Sequence, residues 1–130
     1  MCLSPSTLIL FNDSTIKKHG GYSGGVRSHQ DIDSLAEYVR MVGTQYGWDE
    51  IERICLAAYQ IIKNHIFWDG NKRTAMLTIQ NCLRELGYSF TGRPKDLASK
   101  LITMAAAPAN EKEESVLGLA YFIRSHLQKR

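Results

Sequence analysis

The sequence predicts an all-α fold, a compact six-helix bundle over residues 1–130 as one domain, with a glycine-rich flap and room for one small β-hairpin. Three observations carry this. Apolar residues recur at i, i+3, i+4 and i+7 along most of the chain, the spacing of helices with one buried face. Most glycines and prolines fall between those stretches and punctuate them. The length of 130 residues fits a single domain, and 44% hydrophobic with 22% charged residues is ordinary globular composition.

Residues 1–5 are expected to be loose. Ser6 is a candidate N-cap for a first helix through Lys18, with Leu8, Ile9, Phe11 and Ile16 inward. His19-Gly20-Gly21 ends it, and residues 20–28, with four glycines, read as a loop. Ser28 or Asp31 caps a second helix over 31–46, with Ile32, Leu35, Val39, Val42 and Tyr46 inward. Gly43 marks a candidate early end, and Gly47 breaks the pattern. A third helix starts near Asp49 and carries Ile51, Ile54, Cys55, Ala58, Ile61 and Ile62 on one stripe. The fourth carries Ala75, Met76, Ile79, Leu83 and Leu86, and Gly87 is its stop because glycine accepts the left-handed conformation. Tyr88-Ser89-Phe90 is a short alternating piece. Pro94 opens a fifth helix to about Ala106, with Leu97, Leu101 and Met104 as its stripe. Asn110 and Glu113 have capping-box spacing for a last helix to about Leu127, with Val116, Leu119, Ala120, Ile123 and Leu127 apolar. Lys129 and Arg130 suit the dipole at its end.

Composition excludes little. A net charge of +3 suits an acidic or phosphate-bearing ligand but equally serves solubility, so it does not argue for nucleic acid. Cys2, Cys55 and Cys82 are odd in number and lack CxxC spacing. They read as free thiols, the latter two as small buried hydrophobes, which fits a reducing cytoplasm. No basic stretch precedes an apolar run, so neither signal peptide nor membrane span is expected.

The chemistry concentrates in His65-Ile66-Phe67-Trp68-Asp69-Gly70-Asn71-Lys72-Arg73, between the third and fourth helices. Asp69-Gly70-Asn71 is turn chemistry, so the unit is helix, tight loop, helix. The first amides of the fourth helix then converge on one point, which the helix dipole makes positive and Lys72 and Arg73 reinforce. That is an anion pocket suited to phosphate. Asp69 would repel bare phosphate, and a Mg²⁺ shared between its carboxylate and phosphates explains it. An imidazole at the rim, His65, is suited to take a hydroxyl proton. Blander readings stand beside these: His65 as a polar cap, Asp69 as turn-former or N-cap, Asn71 as a turn residue, Lys72 and Arg73 as solvated charges. Taken together, the pieces point to phosphoryl or nucleotidyl transfer, which is mostly positioning and charge stabilisation.

The nine residues resemble the signature of the Fic/Doc family, and of its Doc (death-on-curing) toxin branch in particular. His19-Gly20-Gly21-Tyr22-Ser23-Gly24-Gly25-Val26-Arg27 is similar to the glycine-rich flap of Doc toxins, and Leu83-Arg84-Glu85-Leu86-Gly87-Tyr88 is similar too. Adenylylating Fic enzymes usually show Gly-Asn-Gly-Arg where this chain has Gly-Asn-Lys-Arg. The resemblance therefore implies a kinase that turns the γ-phosphate of ATP towards His65, with Mg²⁺ on Asp69. Gly70, Asn71, Lys72 and Arg73 would hold phosphate, Arg73 would also stabilise transition-state charge, and Lys63 matches a basic position of Doc toxins. Gly21, Tyr22, Ser23, Gly24 and Gly25 would pair with an extended substrate strand. The resemblance also implies elongation factor Tu as target, translation inhibition as outcome, and control by the C-terminal segment of an antitoxin. Gly70, often Ala in Doc toxins, keeps AMP transfer as the alternative, and an inactive helical binding module is the rival outside enzymes.

Overall fold

A computed structural model of the chain describes residues 2–130. Its six helices are α1 (Pro5–His19), α2 (His29–Tyr46), α3 (Glu50–Lys63), α4 (Asn71–Glu85), α5 (Pro94–Ala106) and α6 (Lys112–Arg124). Two short strands, β1 (Tyr88–Phe90) and β2 (Leu127–Lys129), pair antiparallel with Phe90 opposite Leu127. The fold is the all-α bundle the periodicity predicts.

α3 is its axis. It packs on α2, α4, α5 and α6, and residues 54–59 are buried without a break. A helical stretch buried on every side belongs in the middle of a domain. Its Leu56 and Ile61 are fully enclosed, as are Ile79, Leu83, Leu97, Leu101, Val116 and Ile123 around it. α1 adds Leu8 to this core and packs against α4. α3 starts with a capping box: the Glu52 amide donates to Asp49 and the Asp49 amide to Glu52, each at 2.9 Å. Arg124 of α6 bonds the Asp49 carboxylate and lies 3.3 Å from Glu52. Burial pushes the Asp49 carboxyl up, but the Glu52 amide and Arg124 outweigh it and hold the group below its ordinary range.

Several boundaries differ from expectation. α1 starts earlier, because Ser4 accepts from the Thr7 amide and Pro5 takes the first helical position, where its missing N–H costs nothing. The expectation of a loose start therefore fails from Cys2 onward; Met1 lies outside the described residues. The buried face of α1 is Leu8, Asn12 and Thr15, while Ile9 is exposed. Ser28 caps α2, and Gly43 stays inside that helix because the Arg53 side chain fills the space of a Cβ. Tyr46 is exposed rather than inward and stacks on buried Trp48, centroids 4.7 Å apart. The Asn110–Glu113 capping box does not form; residues 109–111 make a 3-10 turn ahead of α6. α6 ends at Arg124, and Leu127 and Lys129 belong to β2 instead of the helix. His126 is half-buried, its ring 4.8 Å from that of Phe122.

The cysteine reading is also corrected. Folding brings the turn before α1 onto α4, and Cys2 and Cys82 form a disulfide with Cα atoms 5.4 Å apart. Cys55 is free and buried, as expected. Among the described residues no helix is long and apolar enough to cross a membrane.

Candidate active site

α3 ends at Lys63 with Asn64 as its C-cap, and the next residue, His65, turns left-handed with φ 46°. Ile66 and Phe67 then plunge into the core, 0% and 1% exposed, and anchor the loop. His65, Trp68 and Asp69 are left at the surface. The chain re-enters a helix at Gly70, whose φ of 76° serves as N-cap for α4. A side chain there would be strained by the backbone and crowded by Asn12, Thr15 and Ile16 at 3.2–3.3 Å. No side chain caps α4 among the described residues, so its first amides remain open to a ligand.

The loop is braced from three directions. Asn71 closes it from within: its Oδ1 accepts from the Phe67 amide at 3.0 Å and its Nδ2 donates to the Phe67 carbonyl at 2.9 Å. Buried Asn12 reaches across from α1 and donates to the Asp69 carbonyl at 2.8 Å and to the Thr74 hydroxyl at 3.1 Å. The flap lies along the other side. Val26 bridges Phe67 antiparallel, the Trp68 amide donates to Gly25 at 3.0 Å, and the Arg27 amide donates to Ile66 at 2.7 Å. At the flap tip the Tyr22 amide donates to the Asp69 carboxylate at 3.0 Å, and the Gly70 amide donates to its other oxygen at 2.8 Å. These two amides, with Arg73 adding its charge, hold the Asp69 carboxyl below its ordinary range.

A cavity of about 470 Å³ opens beside this loop, within the ~300–1,000 Å³ typical of small-molecule sites. His65, Asp69, Lys72 and Arg73 give it polar groups, Ile62, Met76, Ala98 and Ile102 an apolar wall, and Trp68 an exposed rim. No ion pair engages Lys72 or Arg73 among the described residues. Arg73 also lines a neighbouring cavity between α1, α4 and α5. Asp69 is the one carboxylate of the site cavity, and no cluster of three or more metal-binding side chains occurs among the described residues. A single ionised carboxylate fits Mg²⁺ only when phosphates complete its shell.

Of the residues singled out in the sequence, His65, Asp69, Gly70, Asn71, Lys72 and Arg73 meet at this cavity. Lys63 does not. Its ammonium donates to the Ala105 carbonyl at 2.9 Å and to that of Ala107, capping the end of α5. Gly21, Tyr22, Ser23 and Gly24 form the exposed flap tip, and Gly25 is half-buried against the loop. Two residues escaped the sequence reading. Asn12 had a signal, a polar residue between Leu8 and Thr15 on the buried stripe of α1. Arg27 had none.

What stands here is a helical bundle whose central hairpin of helices presents an imidazole and an open helix start to one cavity. Residues 2–83 match the Fic/DOC family, and the chain belongs to that family. Membership implies an enzyme of nucleotide-dependent transfer with protein partners. Comparison with curated proteins gives no match.

Proposed function

We propose that this protein is a Doc-type toxin kinase that phosphorylates a Ser or Thr of a protein, elongation factor Tu by resemblance, and so inhibits translation in the cytoplasm. The observation that carries the reading is the meeting of one imidazole, one ionised carboxylate, two cations and a helix start without a side-chain cap around a single cavity. In this reading the α4 amides, Lys72 and Arg73 bind the phosphates of ATP. His65 takes the proton from the attacking hydroxyl. That oxygen bonds to the γ-phosphorus as the bridging bond to the β-phosphate breaks, and ADP leaves. Arg73 stabilises the charge on the transferring group. Asp69 would hold the Mg²⁺ that neutralises phosphate charge when bound. Asn71 acts through the turn it closes, and an antitoxin segment would restrain the toxin.

The case for AMP transfer leaned on Gly70. The left-handed backbone and crowding at that position account for glycine whichever group moves. Lys72, where adenylylating relatives carry glycine, favours the kinase.

The test is the mass of elongation factor Tu after incubation with this protein and ATP. A gain of one phosphate is expected; a gain of AMP would replace the kinase by its alternative, and no gain would leave a binding module. His65→Ala should lower transfer by about 10²–10⁴-fold while nucleotide binding persists. Unchanged turnover in that variant would refute the role of the imidazole.

A further inference from the structure

His65 is held in a left-handed backbone state that is uncommon outside glycine. Among the described residues no other non-glycine has positive φ. Such a conformation persists only where the surroundings over-determine it, and here the surroundings are one short stretch at the base of the flap. The Arg27 guanidinium donates from Nε to the His65 carbonyl at 2.6 Å and from Nη2 to the Asn64 carbonyl. The Arg27 and Ser28 amides both donate to the Ile66 carbonyl, at 2.7 and 3.1 Å. Three successive carbonyls, 64 to 66, are thus gripped by two successive residues. No acid pairs with Arg27 among the described residues, and it does not line the cavity. Its charge is committed to the His65 turn.

We infer that Arg27 is a positioning residue for group transfer: its guanidinium locks the His65 turn in its left-handed form and so keeps the imidazole on the cavity. The inference rests on His65 being the base proposed above. It also links the base to substrate docking. The flap strand is fastened at Tyr22 to Asp69 and at Arg27 to His65, so a peptide laid along it lies between the two fastenings. Lysine is a poor substitute, because its ammonium lacks the planar fork whose fixed geometry meets the successive Asn64 and His65 carbonyls.

Arg27→Ala and Arg27→Lys should be assayed beside wild type and His65→Ala on elongation factor Tu, with ATP labelled in the α- or γ-phosphate; the inference holds for either label. In both Arg27 variants kcat should fall on the order of 10- to 100-fold, the scale of a misplaced reacting group. The nucleotide KM and the thermal midpoint should barely move. Methylguanidinium should restore part of the rate to Arg27→Ala and none to His65→Ala. A crystal structure of Arg27→Ala should show residue 65 released from positive φ. Full turnover in either Arg27 variant, or a retained φ near the 46° seen here, overturns the inference and leaves the assignment of His65 standing. A wild-type protein that transfers neither label overturns both.

Discussion

The Asp69 carboxylate joins two parts of the molecule that are far apart in sequence. One oxygen receives the flap through the Tyr22 amide, the other receives the start of α4 through the Gly70 amide. Both bonds are stronger to the ionised form, and together they depress its pKa. The direction of the pH effect follows. The fastening is complete above the ordinary carboxylate range and is lost only as pH falls through the depressed value. The Tyr22 amide resonance should therefore titrate below ~4, the usual aspartate value. A midpoint at or above that value would mean the bond is absent in solution. Asp69→Asn, which lacks the charge, should free the flap tip at every pH. Local pattern made Asp69 visible as a turn residue next to Gly70 and Asn71. It carried no trace of Tyr22, because a bond spanning 47 positions leaves no periodicity to read. Arg27 escaped for the same reason, and so did the pull of the α5 carbonyls on Lys63.

Elements were legible where their logic is local. The stripes of α3, α4 and α5, the proline opening α5 and the glycine after α4 are consequences of helix geometry within a few residues. What failed depended on partners. Leu127 fits an apolar helical stripe as well as it fits β2, and only the free edge of β1 decides between them. The Thr91 amide donating to His126 and the Arg130 amide donating to Gly87 extend that pairing, at 2.7 and 2.8 Å. At the other end of the core, the Asp49 cap serves two elements at once by closing the first turn of α3 and anchoring Arg124 of α6. Asp49→Ala should cost about 1 kcal/mol in urea unfolding, the usual loss for a cap. A change indistinguishable from zero would show that Glu52 alone holds Arg124 and the helix start.

For the whole molecule the covalent tie is Cys2–Cys82, which closes a loop over 80 positions of sequence. The expectation of free thiols came from spacing, and spacing cannot report that the turn before α1 lands on α4. When oxidised, such a crosslink is worth about 2–4 kcal/mol. Unfolding with and without reductant should differ by that amount, and Cys2→Ser should remove the difference. Equal stability in both conditions would mean the bond does not form in solution. In a cytoplasm that keeps thiols reduced, α1 would be held by packing and by the Asn12 bonds to Asp69 and Thr74.

The central place of α3 has a consequence for the timing of synthesis. When residue 90 has just left the ribosome, the chain already contains His65, the flap and all of α4. It lacks α5, which gives the cavity Ala98 and Ile102, and α6, which covers α3. A copy of that length therefore carries the polar groups of the candidate site without the α5 part of its wall. Under the function proposed above, the cavity is walled only once α5 has emerged and packed.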